Sequence, residues 1–209
     1  MATQQQINRS KSKKVPEQEH LLLLPPRIRN YGPPLTNEQL HEILSTSVRD
    51  LHLQDLREVV IIVANTGISS EELVNFRYAD VDIKKRRIKV RSKRAGDHFI
   101  PFAAETLKIL EARRNREPKS EYVLGVNARR LLNRVSRQLR ALGQTIGIGS
   151  VTINSLRQTF GMRLMNSGAS IDSLKTIWGL EVGELKFSTT HKQRFIYASR
   201  DQARVESPL

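Results

Sequence analysis

Five arginines, Arg129, Arg130, Arg134, Arg137 and Arg140, fall inside the short stretch "RRLLNRVSRQLR", which contains no acid. Read as a helix, the segment turns Leu131, Leu132, Val135, Leu139 and Leu142 inward and leaves a cationic face. No i,i+4 acid is available to pair with that face, so apposition to phosphate is the better account of it. A guanidinium is planar, stays charged at any working pH and grips two oxygens at once, which is what a phosphate offers. A sixth arginine, Arg157, interrupts the apolar stripe of "VTINSLRQTFGMRLMNSG". It has two readings: it faces a phosphate, or it is the buried partner of a carboxylate such as Glu72, because a buried arginine normally has one.

The whole-chain balance points the same way. Among 209 residues, 35 Lys+Arg stand against 21 Asp+Glu, a formal charge of +14. A field of that sign attracts a polyanion, and nucleic acid is the leading partner; the plainer reading is that the charge serves solubility. With 38% hydrophobic residues there is material for one core or slightly more. Cysteine is absent, which excludes disulfides, cysteine-ligated zinc and cysteine nucleophiles. The five histidines are scattered, so neither a metal nor a cofactor is expected. The run Leu21 to Leu24, between His20 and Pro25, is too short for a membrane span or a signal core. The expectation is a cytoplasmic protein, nucleoid-associated if bacterial.

The elements that must position these groups begin after residue 33. Residues 1–33 are proline-punctuated and carry Arg9, Lys11, Lys13, Lys14, Arg27 and Arg29, and they read as a disordered basic arm. Residues 34–209 form the second unit. Thr36 and Gln39 predict a capping box ahead of Leu40, Ile43, Leu44 and Val48. "DLREVVIIVA" predicts a central helix, Gly67 stops it, and Ser69 with Glu72 predicts a second capping box. "RRIKVRSKRAGDHFIPF" alternates around a turn at Ala95, Gly96 and Asp97, predicting a hairpin with one wet, basic face. Helices follow at "AAETLKILEARR", at the arginine-rich stretch capped by Asn127 and ending at Gly143, at "TINSLRQTFGMRLMNSG", and at "SIDSLKTIWG" capped by Ser170. The sum is a mainly α fold with a small inserted antiparallel β-hairpin, an α+β arrangement.

From Leu35 to about Tyr197 this order of pieces resembles the catalytic domain of tyrosine recombinases, the phage-integrase family. "TGISSEELVNFRYADVD" is similar to the family's opening signature of threonine-glycine-leucine-arginine, then glutamate-leucine, then an aromatic and an aspartate. "INSLRQTFGMRLMNSGASIDSLKTIWG" is similar to its histidine-x-x-arginine helix and the helix after it. Residues 1–33 are too few for the family's separate N-terminal domain. The resemblance implies a chemistry in which a tyrosine attacks a DNA phosphate while two arginines and histidine-type donors hold the developing charge. A hairpin lysine protonates the leaving oxygen.

Carried over residue by residue, the resemblance places Arg157 as the second arginine and Lys93 as the hairpin lysine, flanked by Arg91 and Arg94. Ser69 replaces the first arginine, Asn154 stands in the place of the histidine before Arg157, Gln158 replaces another histidine, and Leu180 replaces the last histidine or tryptophan donor. The family's spacing puts the nucleophile at Thr189 or Gln193, and Tyr197 lies one helical turn further on. Tyr197 is thus either a displaced nucleophile or a C-terminal packing aromatic. Each substituted position also has a structural reading: Ser69 and Asn154 as helix caps, and the nearby Trp178 as a core residue.

Three functions follow for comparison: a DNA-binding protein that has lost strand cleavage, an active integrase or recombinase using Tyr197, and a basic adaptor or RNA-associated protein. The first is preferred, because losing charge-stabilising donors removes rate while cations still supply affinity. Exchange of the C-terminal segment between copies would make a homo-oligomer, as the resemblance implies.

Overall fold

The computed structural model describes residues 34–48, 50–92 and 96–179. The basic arm, Lys93, Arg94, Leu180, Thr189, Gln193 and Tyr197 lie outside the described residues.

Helix α1 (Asn37–Val48) opens on the expected box: Gln39 N–H donates to Thr36 Oγ1 at 3.2 Å, and Thr36 N–H donates to Gln39 Oε1 at 3.0 Å. Leu40, Ile43 and Leu44 are buried, whereas Val48 is exposed and not part of the core face. Helix α2 (Gln54–Thr66) is the central one, with every residue from Glu58 to Thr66 buried. A fully buried aliphatic side chain contributes about 2 kcal/mol, so this run of Val59 to Val63 anchors the core. Gly67 ends α2 in the left-handed region, φ 65°, and hands the chain to the short helix α3 (Ser70–Val74).

A three-stranded antiparallel sheet follows in the order β1 (Val81–Asp82), β2 (Arg87–Ser92), β3 (Gly96–Pro101). Ile88 pairs with Ile100 and Val90 with His98, which turns these four side chains to the buried face. Gly96 and Asp97, expected in the turn, belong to β3 opposite Ser92 and Arg91. Strand β1, absent from the hairpin expectation, pairs Val81 with Ile88.

Helices α4 (Ala104–Arg116), α5 (Ala128–Thr145), α6 (Ile153–Asn166) and α7 (Ile171–Trp178) complete the chain. α4, α5 and α6 pack around α2, and α7 packs on β3. Three helix ends differ from expectation. α5 runs past Gly143 to Thr145, because Gly143 is needed for close approach: a Cβ there would meet the Gly149 carbonyl at 2.5 Å. At its start, Asn127 makes no side-chain cap bond. α6 is capped by Thr152, whose hydroxyl accepts the Ser155 N–H at 3.0 Å, and Asn154 lies inside the first turn. Ser170 caps α7 as expected. No helix among the described residues is long and apolar enough to cross a membrane.

An ion cluster lies inside this packing. Arg113 and Glu58 are both buried and paired, Arg113 Nε donates to the Val123 carbonyl at 2.8 Å, and Arg116 adds two bonds to Glu58 at 2.7 and 2.6 Å. Glu58 raises the Arg116 pKa, chiefly through those bonds.

Candidate functional site

The loop from α2 to α3 and the ends of α6 and α7 meet at Arg157. Its Nη1 donates to the Gly67 carbonyl at 2.7 Å and to Glu72 Oε2 at 3.3 Å, and its Nη2 donates to the Trp178 carbonyl at 3.4 Å. The guanidinium carbon lies 4.9 Å from the centre of the Trp178 ring, a cation–π contact. Burial lowers the pKa of Arg157 and the neighbouring Glu72 pushes it back up; the group remains a cation. The Glu72 reading of Arg157 is therefore what the geometry contains. Nε and one hydrogen of Nη2 are left for an outside acceptor, and the side chain is 15% exposed.

Glycine is required where this clasp closes. A Cβ on Gly67 would stand 2.4 Å from Phe160 Cδ1 and 2.6 Å from Trp178 Nε1, and one on Gly161 would stand 2.6 Å from Trp178 Cη2. Trp178 is thus seated between two glycines and Arg157, half-buried at the edge of the clasp rather than in the buried core expected of it. Its Nε1 is buried with no hydrogen-bond partner among the described residues, as is Oε1 of Gln158.

Ser69 sits beside this clasp as the N-cap of α3. Its N–H donates to Glu72 Oε2 at 2.7 Å and its Oγ accepts from the Glu72 N–H at 3.3 Å, the reciprocal box that "SSEE" predicts. Ser69 and Arg157 are therefore joined through one carboxylate. Asn154 is half-buried near the start of the Arg157 helix, and its side chain makes no hydrogen bond to a described residue. The two residues before Leu180, Trp178 and Gly179, border the clasp.

A groove of about 830 Å³ opens from Ser69 towards the sheet, lined by Glu72, Asp80, Lys89, Arg91, Asp97 and Arg129 among others. Its cations are largely matched by acids. Arg91 lies 2.9 Å from the buried Asp80, Lys89 lies 2.8 Å from Asp97, and Arg77 lies 2.7 Å from Glu121. The bond to Lys89 holds the Asp97 carboxyl below its ordinary range. Arg129 has no such partner among the described residues.

The arginines of α5 spread over roughly 140° of the helix at ~100° per residue, opposite the buried Leu132, Val135, Leu139 and Leu142. All five are exposed. One departs from the unpaired face expected of it: Arg134 Nη2 bonds Asp55 Oδ2 of α2, an acid too far along the chain for i,i+4 reasoning to reach. Arg130, Arg134 and Arg137 border a second hollow of about 510 Å³ with Asp55 and Glu117. The Arg113–Glu58 pair was missed from the sequence; an acid inside the apolar run "REVVIIVA" was the available signal.

Residues 34–184 match the model of the phage integrase family. Tyrosine recombinase XerC of Staphylococcus aureus is 27% identical over 198 residues, covering 87% of this chain and 62% of the relative. Among solved structures, the XerA recombinase superposes with a TM-score of 0.61 at 24% identity, over 79% of this chain and 58% of that one. The Tn1549 transposon integrase, solved in complex with circular intermediate DNA, superposes with a TM-score of 0.55 at 20% identity, over 78% and 60%. The chain spans about three fifths of the length of these relatives. With most of its length matched in sequence and its described fold shared with recombinases, the chain belongs to the phage integrase family.

Proposed function

We propose that the chain is a double-stranded-DNA-binding protein on a tyrosine-recombinase scaffold, deficient in strand cleavage. The observation that carries the reading is Ser69. At the place where the family's signature has its first arginine, this chain has a hydroxyl spent on capping α3. A serine cannot supply the fixed positive fork that a phosphoryl transition state requires, and removing one preorganised donor of that kind costs about 3–4 kcal/mol of barrier. Under the same carry-over Leu180 removes a further donor, and Asn154 and Gln158 weaken two more by putting a neutral amide where the family has a histidine.

Binding asks less than cleavage. Phosphate contacts need cations held at the right spacing, and α5 presents Arg129, Arg130, Arg137 and Arg140 at its exposed surface. The relative solved with DNA shares this fold. Arg94, Arg157 and Arg91, whose exposed guanidinium also bonds Asp80, are further cations for phosphate in this reading. The basic arm of residues 1–33 adds non-specific phosphate contacts, and the C-terminal segment is the element available for contact between copies.

The test has two arms. Nicked suicide duplexes are incubated with the chain, and denaturing gels are inspected for a covalent protein–DNA adduct. None is expected; an adduct that Tyr197→Phe abolishes would establish the active-recombinase reading instead. In the second arm, the affinity for duplex DNA is followed against salt, with a steep log–log decline expected. A flat slope, or RNA bound as tightly as the duplex, would favour the adaptor reading.

A further inference from the structure

We propose that Arg129 makes, from across the groove, the DNA phosphate contact for which position 69 has no cation. This rests on the DNA-binding reading above.

Three observations converge on Arg129. It lines the groove together with Ser69 and Glu72, and it also lines the neighbouring hollow with Ser70 and Glu71, so its side chain lies along the first turn of α3. The packing of α3 on α5 makes that placement a fixed property of the fold. Second, the groove's other described cations are engaged: Arg77 with Glu121, Lys89 with Asp97 and Arg91 with Asp80. Arg129 is exposed and has no hydrogen bond, ion pair or ring contact among the described residues, so no internal partner competes for its fork. Third, helix stability does not account for it. Arg129 occupies the first turn of α5, which holds no acid, and a cation there opposes the helix dipole.

The groove is therefore served from two sides. Arg157 is held by Glu72 and makes no hydrogen bond through Nε to a described residue, and Arg129 lines the same groove as Ser69. An arginine reaching in from α5 restores a second fork without needing position 69, whose hydroxyl and N–H are both committed to Glu72. The ligand is a backbone phosphodiester of a duplex, since nothing in this contact reads a base.

A double-mutant cycle tests the assignment. Fluorescence anisotropy with a labelled duplex, over a series of salt concentrations, is measured for the intact chain, Arg129→Ala, Ser69→Arg and the pair. Arg140→Ala, alone and with Ser69→Arg, is the control. Arg129→Ala is expected to lower the salt slope by about one. Ser69→Arg should add little to the intact chain, add little to Arg140→Ala, and return the lost slope to Arg129→Ala, because two arginines then compete for one phosphate. Asn75→Arg, from an exposed position on the same groove, repeats the cycle without disturbing the capping box. If the introduced arginine adds equally in all three backgrounds, Arg129 does not serve that phosphate and the inference falls alone. If the intact chain binds no duplex, the DNA-binding reading falls and takes the inference with it.

Discussion

Glu72 and Arg157 meet at 3.3 Å through Oε2 of the carboxylate, and the same oxygen accepts the Ser69 N–H at 2.7 Å. One atom thus closes a helix cap and neutralises a nearly buried guanidinium. Glu72→Ala removes both functions at once, and a buried charge left without its partner costs more than the pair contributes. A loss of about 3 kcal/mol is expected in chemical denaturation, with Glu72→Gln losing less because its amide oxygen still accepts a bond. Equal losses for the two variants would show that the charge on Glu72 is irrelevant.

Trp178 is the chain's one tryptophan, which makes the clasp visible to fluorescence. Gly161→Ala places a methyl 2.6 Å from the indole edge, so the ring must shift. The expected results are a red-shifted emission maximum and a destabilisation of about 1–3 kcal/mol, the usual range for overpacking. An unchanged spectrum would mean that α7 is not seated on Gly161.

The Arg113–Glu58 pair predicts a contrast between single and double changes. Glu58→Ala leaves Arg113 charged and enclosed with Asp55, 3.0 Å from its Nη1, as the remaining acid, and about 3 kcal/mol should be lost. Replacing the two together, Glu58→Leu with Arg113→Met, should recover much of that loss, since apolar packing substitutes for a desolvated pair. Thermal melts of the two variants decide it. A double variant as unstable as the single one would point to the groups that Arg113 leaves behind, the Val123 carbonyl and Asp55, as the costly ones.

Asp97 and Asp82 should titrate below the ordinary aspartate range in an NMR pH series. For Asp97 the leading cause is the hydrogen bond from Lys89, and for Asp82 it is the Lys85 N–H. A lowered folded pKa stabilises the fold above the ordinary aspartate value, and that contribution disappears as pH falls through the depressed one. Acid should therefore loosen the hairpin, and Lys89→Ala should return Asp97 towards its usual titration while leaving Asp82 where it was.

What could be read from the sequence followed the range of the interactions. The boxes at Thr36/Gln39 and Ser69/Glu72, the cap at Ser170 and the alternation of Ile88 and Val90 are signals spanning two or three residues, and each is present. Gly143 misled because glycine serves close approach as well as helix termination, and here the Gly149 carbonyl decided which. Asn154 lost the cap to Thr152, which has Ser155 three residues on to complete a box. Arg134 with Asp55, and Arg113 with Glu58, join residues more than fifty positions apart, so no local pattern announces them. The site was legible as a set of aligned positions. That Arg157 holds Gly67, Glu72 and Trp178 together depends on α2, α6 and α7 converging, which only the fold supplies.

The serine at the start of α3 puts a folding cost on any arginine introduced at that position. A guanidinium introduced there would give up the hydroxyl that anchors the helix, worth about 1 kcal/mol. It would also bring a second positive centre up to a carboxylate already holding Arg157. An arginine variant at this position would therefore need a compensating cap to keep α3 anchored, so the hydroxyl is held in place by folding.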